Sequence, residues 1–157
     1  MDTFVQVVQD LLGEAYNGST GRPWFSDHGP NSGLFATLEG LSAEQASAPL
    51  TPGGSSIAGH AAHLRWSLER SNAAMHGDRS PWNWAESWAL QRVDDAAWDE
   101  LRNNLKLEVS RMQEALPNGF DPNNPMMLQS GVALVAHAAY HLGAIRQMAL
   151  VLQRAQE

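Results

Sequence analysis

The chain of 157 residues contains no cysteine and a single lysine, Lys106. The absence of cysteine excludes disulfide bonds, catalytic thiolates and cysteine-based zinc sites. Ten Lys and Arg residues against 17 Asp and Glu residues leave a net charge of −7, so no basic surface for nucleic acid is expected. One lysine also argues against a polybasic membrane anchor. We therefore expect neither nucleic acid nor a membrane as a partner.

Long apolar runs are missing as well. No segment approaches the roughly 18 consecutive apolar residues that a membrane-spanning helix needs. The first ten residues lack the basic region and the unbroken apolar stretch of a secretory signal. Apolar residues make up 43% of the chain and charged residues 17%, which argues against disorder. We expect one soluble, cytoplasmic domain over residues 1–157.

Apolar residues recur at helical spacing in four long segments, each with a one-sided apolar stripe. The segments are residues 4–15, 56–75, 98–116 and about 130–153. The third is expected to end at Pro117, because Pro-Asn-Gly follows its stripe. The second follows a run of glycine and serine that supplies its cap, and is expected to end at His76.

Shorter features complete the helical pattern. Residues 34–41 form a short apolar piece, and Ser42 to Gln45 resemble a capping box that opens one more turn. No segment alternates apolar and polar residues as a strand would. We therefore predict an all-α four-helix bundle, with a long connection at roughly residues 77–93 between the second and third long helices. Its three tryptophans are expected to pack rather than to line a pocket: Trp82, Trp84 and Trp88.

His137 and His141 are the strongest candidates for chemistry among the six histidines of the chain. They stand four residues apart on the last helix, which places two imidazoles one turn apart on one face, as a shared metal ion requires. Leu134, Ile145 and Met148 share that face, so both rings are expected to point toward the core. Burial of unpaired ring nitrogens is costly, so either a metal ion or a hydrogen-bonded histidine cluster is expected there.

His60 and His63 on the second long helix are the candidates for a third ligand. At about 100° per residue, His60 lies about 60° from the apolar stripe of this helix and His63 about 120° away, so periodicity prefers His60. Trp66 lies opposite the stripe, which indicates a second buried face and weakens that preference. Spacing alone leaves the choice between His60 and His63 open.

Two segments resemble motifs of the DinB-like superfamily. The sequence from His137 to Gln147 is similar to a final-helix signature of the form H-x-x-Y-H-x-G-x-I-R-Q. The sequence from Ser56 to Leu64 is similar to the family's S-I-A-x-x-x-x-H-L segment. Other features agree with the family and extend the resemblance over most of the chain: residues 38–46, the Pro-Gly-Gly before the second long helix, Trp88 and Trp98.

The resemblance implies a four-helix bundle, often dimeric, that holds a divalent metal ion through three histidines. One histidine comes from the second helix and two come from the last helix. Matched residue by residue, the metal ligands are His63, His137 and His141. His60 then becomes a neighbour of the metal ligands, which overrules the preference that periodicity gives.

Tyr140 and Arg146 belong to the same final-helix motif and are candidates for substrate contacts. The hydroxyl of Tyr140 could hydrogen-bond a ligand near the ion, although a surface position for this hydroxyl is the commoner arrangement. Arg146 could pair with a carboxylate of the substrate or of a neighbouring helix, and we favour the structural pairing.

Three neutral imidazoles leave a divalent ion its full charge and at least one open position, which favours a catalytic site over a structural one. Zinc and nickel both suit imidazole ligands. Family members include S-transferases and an isomerase that use low-molecular-weight thiols. The resemblance therefore implies a metal-dependent enzyme that acts on a small molecule with such a thiol, in a homodimer. The alternatives are a hydrolase with water as nucleophile, a non-catalytic dimeric stress-response or binding module with a structural metal, and a bundle without metal.

Overall fold

The computed structural model describes residues 3–121 and 123–155, and within these ranges every element of regular secondary structure is a helix. Two short 3-10 turns, Pro30–Ser32 and Glu86–Trp88, interrupt the connections. The six α-helices are α1 Thr3–Asn17, α2 Leu34–Glu39, α3 Ala43–Ser47, α4 Ile57–Met75, α5 Asp95–Gly119 and α6 Pro125–Arg154.

The four long helices α1, α4, α5 and α6 form the bundle that the apolar spacing predicts. α4 packs against α5 and α6, and α1 packs against the same two helices. The short helices α2 and α3 cover the bundle, α2 against α1, α5 and α6, and α3 against α4 and α6. The hydrophobic core of the bundle is made mainly of aliphatic side chains, among them Val8, Leu12, Leu64, Leu105, Leu116 and Ile145.

α4 begins where the sequence predicts. Ser56 is its N-cap, and the Ser56 hydroxyl accepts a hydrogen bond from the backbone N–H of Gly59 at 3.0 Å. Such a cap satisfies one of the free N–H groups of the first turn and fixes the point where the helix starts. The helix ends at Met75, followed by Gly77 in the left-handed conformation with φ 96°. The start of α4 at Ile57 therefore places His60 and His63 in its first two turns.

α5 continues past Pro117, where the sequence predicts its end. Proline lacks the N–H that would bind the carbonyl of residue 113, and this lost bond normally weakens a helix. Here the Gln9 side chain donates from Nε2 to the Gln113 carbonyl at 2.8 Å, and Gln113 Nε2 donates to the Gln9 carbonyl at 3.1 Å. The contact between α1 and α5 thus satisfies the carbonyl that proline leaves free.

α6 begins more than a turn before the predicted start at Ser130. Its first residue is Pro125, and the Asn124 side chain caps the helix by accepting a hydrogen bond from the Met126 N–H at 3.0 Å. Proline suits the first helical position because its fixed φ is already helical and its missing N–H is not needed there. The predicted start at Ser130 is wrong because it rests on the apolar stripe of α6, which begins later than the cap at Asn124.

The long connection between α4 and α5 folds back over α4. Trp66 of α4 meets Trp82 and Trp84 of the connection, with ring centroids 5.2–5.8 Å apart for the three pairs. Tryptophan packing therefore holds this connection on the side of α4 that faces away from the core stripe. Within the described ranges, no helix combines the length and apolar character needed to cross a membrane.

Candidate metal centre

Two helices bring four histidines into one cluster. α4 carries His60 and His63, and α6 carries His137 and His141. His63 is 5% exposed and His141 is 2% exposed, whereas His60 and His137 are half-buried. Because α4 and α6 pack side by side, residues distant in sequence contact one another here.

Three of these rings converge on one point. His137 Nε2 lies 3.0 Å from His63 Nε2 and 3.0 Å from His141 Nε2. One ring nitrogen from each of the three histidines lies within 4.8 Å of the other two. A neutral imidazole carries one hydrogen and one lone pair, so three facing nitrogens cannot all be satisfied by hydrogen bonds among themselves. The donor set instead matches a divalent transition metal that prefers imidazole ligands.

His60 joins the cluster by a different contact. Its Nδ1 lies 2.8 Å from the Nδ1 of His141, on the other edge of the ring that faces His137. The group of three that could share one ion is thus His63, His137 and His141, with His60 beside it. Periodicity prefers His60 as the inward residue, yet His63 is the more buried of the two.

The connection between α4 and α5 explains the burial of His63. Trp88 stacks on the His63 ring with centroids 4.3 Å apart and an interplanar angle of 19°. Trp84 lies 5.9 Å from the same ring, and Trp88 also meets the edge of His60 at 5.3 Å. Periodicity describes the face that α4 presents to its own bundle, and it carries no information on a loop that folds over another face.

Burial keeps the cluster neutral. Burial, reinforced by the charges that His137 and His60 would carry, lowers the pKa of His63 to about 4. Burial and the neighbouring histidines lower the pKa of His141 to about 3. Burial also lowers the pKa values of His60 and His137. At neutral pH the ring nitrogens therefore keep the lone pairs that metal binding needs.

Ser87 is a polar contact of the cluster that the sequence analysis does not find. Its hydroxyl oxygen lies 2.7 Å from His63 Nδ1, and the residue is 2% exposed. A serine in an irregular connection has no periodic partner, so spacing gives no signal for it. The small polar residue between Glu86 and Trp88 is the only sequence feature that marks the position.

Tyr140 and Arg146 occupy different surroundings. Tyr140 is 71% exposed, and its ring meets the ring of His141 edge-on with centroids 5.0 Å apart. Arg146 donates from Nη2 to Asp27 at 2.6 Å and so ties the loop after α1 to α6. The structure thus places Tyr140 at the rim of the cluster and gives Arg146 a carboxylate partner within the protein.

Comparison with known families agrees with this geometry. A sequence model of the DinB superfamily matches residues 32–145, a range that includes all four clustered histidines. Searches of curated proteins and of solved structures found no match for the chain. The family match and the buried three-histidine group together fit a metal-binding protein.

Proposed function

Because the chain belongs to the DinB superfamily, we propose that His63, His137 and His141 together hold one divalent metal ion, zinc or nickel. The convergence of three ring nitrogens, with His137 Nε2 3.0 Å from each of the other two, carries this proposal. Two of the ligands come from one helix and one from its neighbour, so the bundle itself fixes their separation. A bound divalent ion would supply the positive charge that lowers the pKa of a thiol or water beside it.

We propose further that the protein is an enzyme that uses a low-molecular-weight thiol, of the S-transferase type, on a small electrophilic substrate. Three histidines leave at least one coordination position open for a substrate atom. The chain has no cysteine, so a reactive sulfur would come from the thiol cosubstrate. The proposal places the protein in the cytoplasm, where such thiols are kept reduced.

The protein's own side chains would order and shield this site. Trp88 covers one face of His63, which excludes water from that side of the cluster. His60 and His137 are half-buried, so part of the cluster stays accessible to small molecules. The exposed ring of Trp84 stands beside His63 and could contact an apolar part of the substrate.

The test of the thiol proposal combines spectroscopy with turnover. Cobalt-substituted protein is mixed with glutathione, bacillithiol or mycothiol, and each thiol is also tested for turnover against a panel of electrophiles. We expect one thiol to change the cobalt spectrum and to be required for turnover. Turnover without any thiol would contradict this proposal in favour of a hydrolase. A cobalt spectrum unchanged by thiol or azide, without turnover, would contradict it in favour of a structural metal.

We also propose that the protein is a homodimer formed through α6. From Pro125 to Gln153 the sequence has one charged residue, Arg146, which is already paired with Asp27. The outward face of this helix repeats at alternating spacings of three and four residues, the spacing of a seam between two helices. Small residues on that face let an identical helix approach closely across a twofold axis. The exposed residues of the face are Val132, Ala133, Ala136, Tyr140, Gly143, Gln147, Leu150 and Val151.

A further inference from the structure

The hydroxyl group of Ser87 makes two short contacts, and together they determine the direction in which the hydroxyl hydrogen points. The hydroxyl oxygen is 2.6 Å from the carbonyl oxygen of Trp84 and 2.7 Å from His63 Nδ1. Two oxygens at 2.6 Å need a hydrogen between them, and a carbonyl has none to give. Ser87 therefore donates to Trp84, and its oxygen is left as an acceptor toward His63.

This arrangement selects one tautomer of His63. With the Ser87 hydrogen committed to Trp84, the contact at His63 Nδ1 requires a hydrogen on that nitrogen. A neutral imidazole has one ring hydrogen, so Nε2 keeps its lone pair. Nε2 is the nitrogen that faces His137 at 3.0 Å.

We propose that Ser87 is a positioning residue that holds the His63 ring with its hydrogen on Nδ1 and its lone pair directed at His137 and His141. Hydrogen bonds to the far nitrogen of a ligating histidine orient the ring and raise its basicity toward a metal. The significance of Ser87 for metal affinity rests on the proposed function, whereas the tautomer of His63 does not depend on a metal.

The position of Ser87 is itself fixed by the start of α4. Gln91 accepts a hydrogen bond from the Ser56 N–H at 2.9 Å through Oε1 and donates from Nε2 to the Trp88 carbonyl at 2.9 Å. The Ser56 hydroxyl donates to the Gln91 carbonyl at 2.7 Å. The same turn that carries Ser87 is thus attached to the N-terminus of the helix that carries His63.

The first test reads the tautomer in metal-free protein near pH 7.5. Protein labelled with ¹⁵N-histidine gives long-range ¹H–¹⁵N correlations that distinguish a hydrogen on Nδ1 from one on Nε2, and His63→Ala identifies the His63 signals. We expect Nδ1–H for His63 in the parent protein and a mixture of tautomers in Ser87→Ala. A parent His63 with its hydrogen on Nε2 overturns the proposal without any variant being needed.

The second test measures zinc affinity by chelator competition. We expect Ser87→Ala to bind zinc roughly 10- to 100-fold more weakly than the parent. Ser87→Thr, which keeps the hydroxyl, should retain most of the affinity, and Ser80→Ala in the exposed part of the same connection should match the parent. Far-UV circular dichroism checks that each variant folds.

Two outcomes separate failure of the positioning role from failure of the metal site. If Ser87→Ala keeps both the parent tautomer and the parent affinity, the positioning role is wrong. If the parent binds no metal but its His63 tautomer changes in Ser87→Ala, the metal site is wrong and the positioning role stands.

Discussion

His60 Nδ1 lies 2.8 Å from His141 Nδ1, so one of these two nitrogens carries the hydrogen that the other accepts. If His141 presents Nε2 to a metal, its own hydrogen is on Nδ1, and His60 is the acceptor. His60 would then orient His141 in the way that Ser87 orients His63. Both ligands that are deeply buried would be held from behind by a neutral acceptor.

The first prediction concerns the two histidines of α4. His60→Ala should keep the metal stoichiometry but weaken zinc affinity roughly 10- to 100-fold, because an acceptor behind a ligand is lost rather than a ligand. His60→Gln, whose amide oxygen can still accept, should lose less. Zinc affinity by chelator competition makes the measurement. Complete loss of zinc in His60→Ala would assign the ligand of α4 to His60.

The second prediction concerns Gly59, one turn before His63. A Cβ at this position would overlap the side-chain amide of Gln91, which attaches the Trp88 turn to α4. Gly59→Ala should lower the free energy of unfolding by about 1–3 kcal/mol, because the part-buried hydrogen bonds of the Gln91 side chain are broken. It should also weaken zinc binding, since Ser87 belongs to the displaced turn.

Gly13 supplies the matched control for that variant. It also lies within a helix, and a Cβ there would meet nothing within 4 Å. Gly13→Ala should raise the free energy of unfolding by up to about 1 kcal/mol through helix propensity. Urea unfolding of both variants makes the comparison, and equal effects from the two substitutions would contradict the role given to Gln91.

The third prediction uses the carboxylate of Glu14. It is buried and accepts hydrogen bonds from the N–H groups of Trp24, Phe25 and Ser26 and from the Ser26 hydroxyl. Burial raises the pKa of Glu14, but these hydrogen bonds outweigh it and lower the pKa below its usual value. Ionised Glu14 therefore stabilises the loop that follows α1.

A pKa that is lower in the folded protein than in the unfolded chain stabilises the fold above the unfolded value of about 4.3. This contribution is lost as pH falls through the lower folded pKa. Glu14→Gln should cost about 1.5–3 kcal/mol at pH 7, since hydrogen bonds to a charged group are removed. The difference between parent and variant, from urea unfolding at several pH values, should shrink below about pH 4.3. A difference independent of pH would contradict this account of Glu14.

The fourth prediction concerns the α6 face. Ala136→Glu would place a charge within a seam that is otherwise free of charge, and burying an unpaired charge is costly. The variant should therefore be a monomer at concentrations where the parent is a dimer. Asn103→Glu adds the same charge to the exposed face of α5 and should leave the dimer intact. Light scattering after size-exclusion chromatography measures the mass, and a parent that is monomeric at all concentrations would contradict the dimer.

The bundle could be predicted from the sequence because apolar spacing and helix caps are set by residues close together in the chain. Apolar spacing located α1, α4 and α5, and the capping box at Ser42 located α3. The error at the end of α5 arose where a distant partner changes a local rule, whereas the start of α6 is set by a local cap at Asn124. α5 passes Pro117 because Gln9 satisfies the Gln113 carbonyl, a contact between helices that no local signal contains.

The histidine cluster likewise has a part that local spacing predicts and a part that depends on residues distant in the sequence. The spacing of His137 and His141 on one helix is enough to indicate that the two rings share a face. The ring of His63 is buried by Trp88, which belongs to a connection without periodicity. The apolar stripe of α4 contains no information on this contact, and therefore it favours His60. Ser87 has no spacing signal at all and emerges only when the connection is folded over α4.

Metal content tests the central claim most directly. Protein purified without a histidine tag is offered zinc or nickel, dialysed and measured by elemental analysis, beside His63→Ala and the exposed-histidine control His28→Ala. We predict about one equivalent of metal in the parent and in His28→Ala and almost none in His63→Ala, as a single three-histidine site requires. A parent that retains no metal, or a His63→Ala variant that retains the parent's full content, would contradict the account.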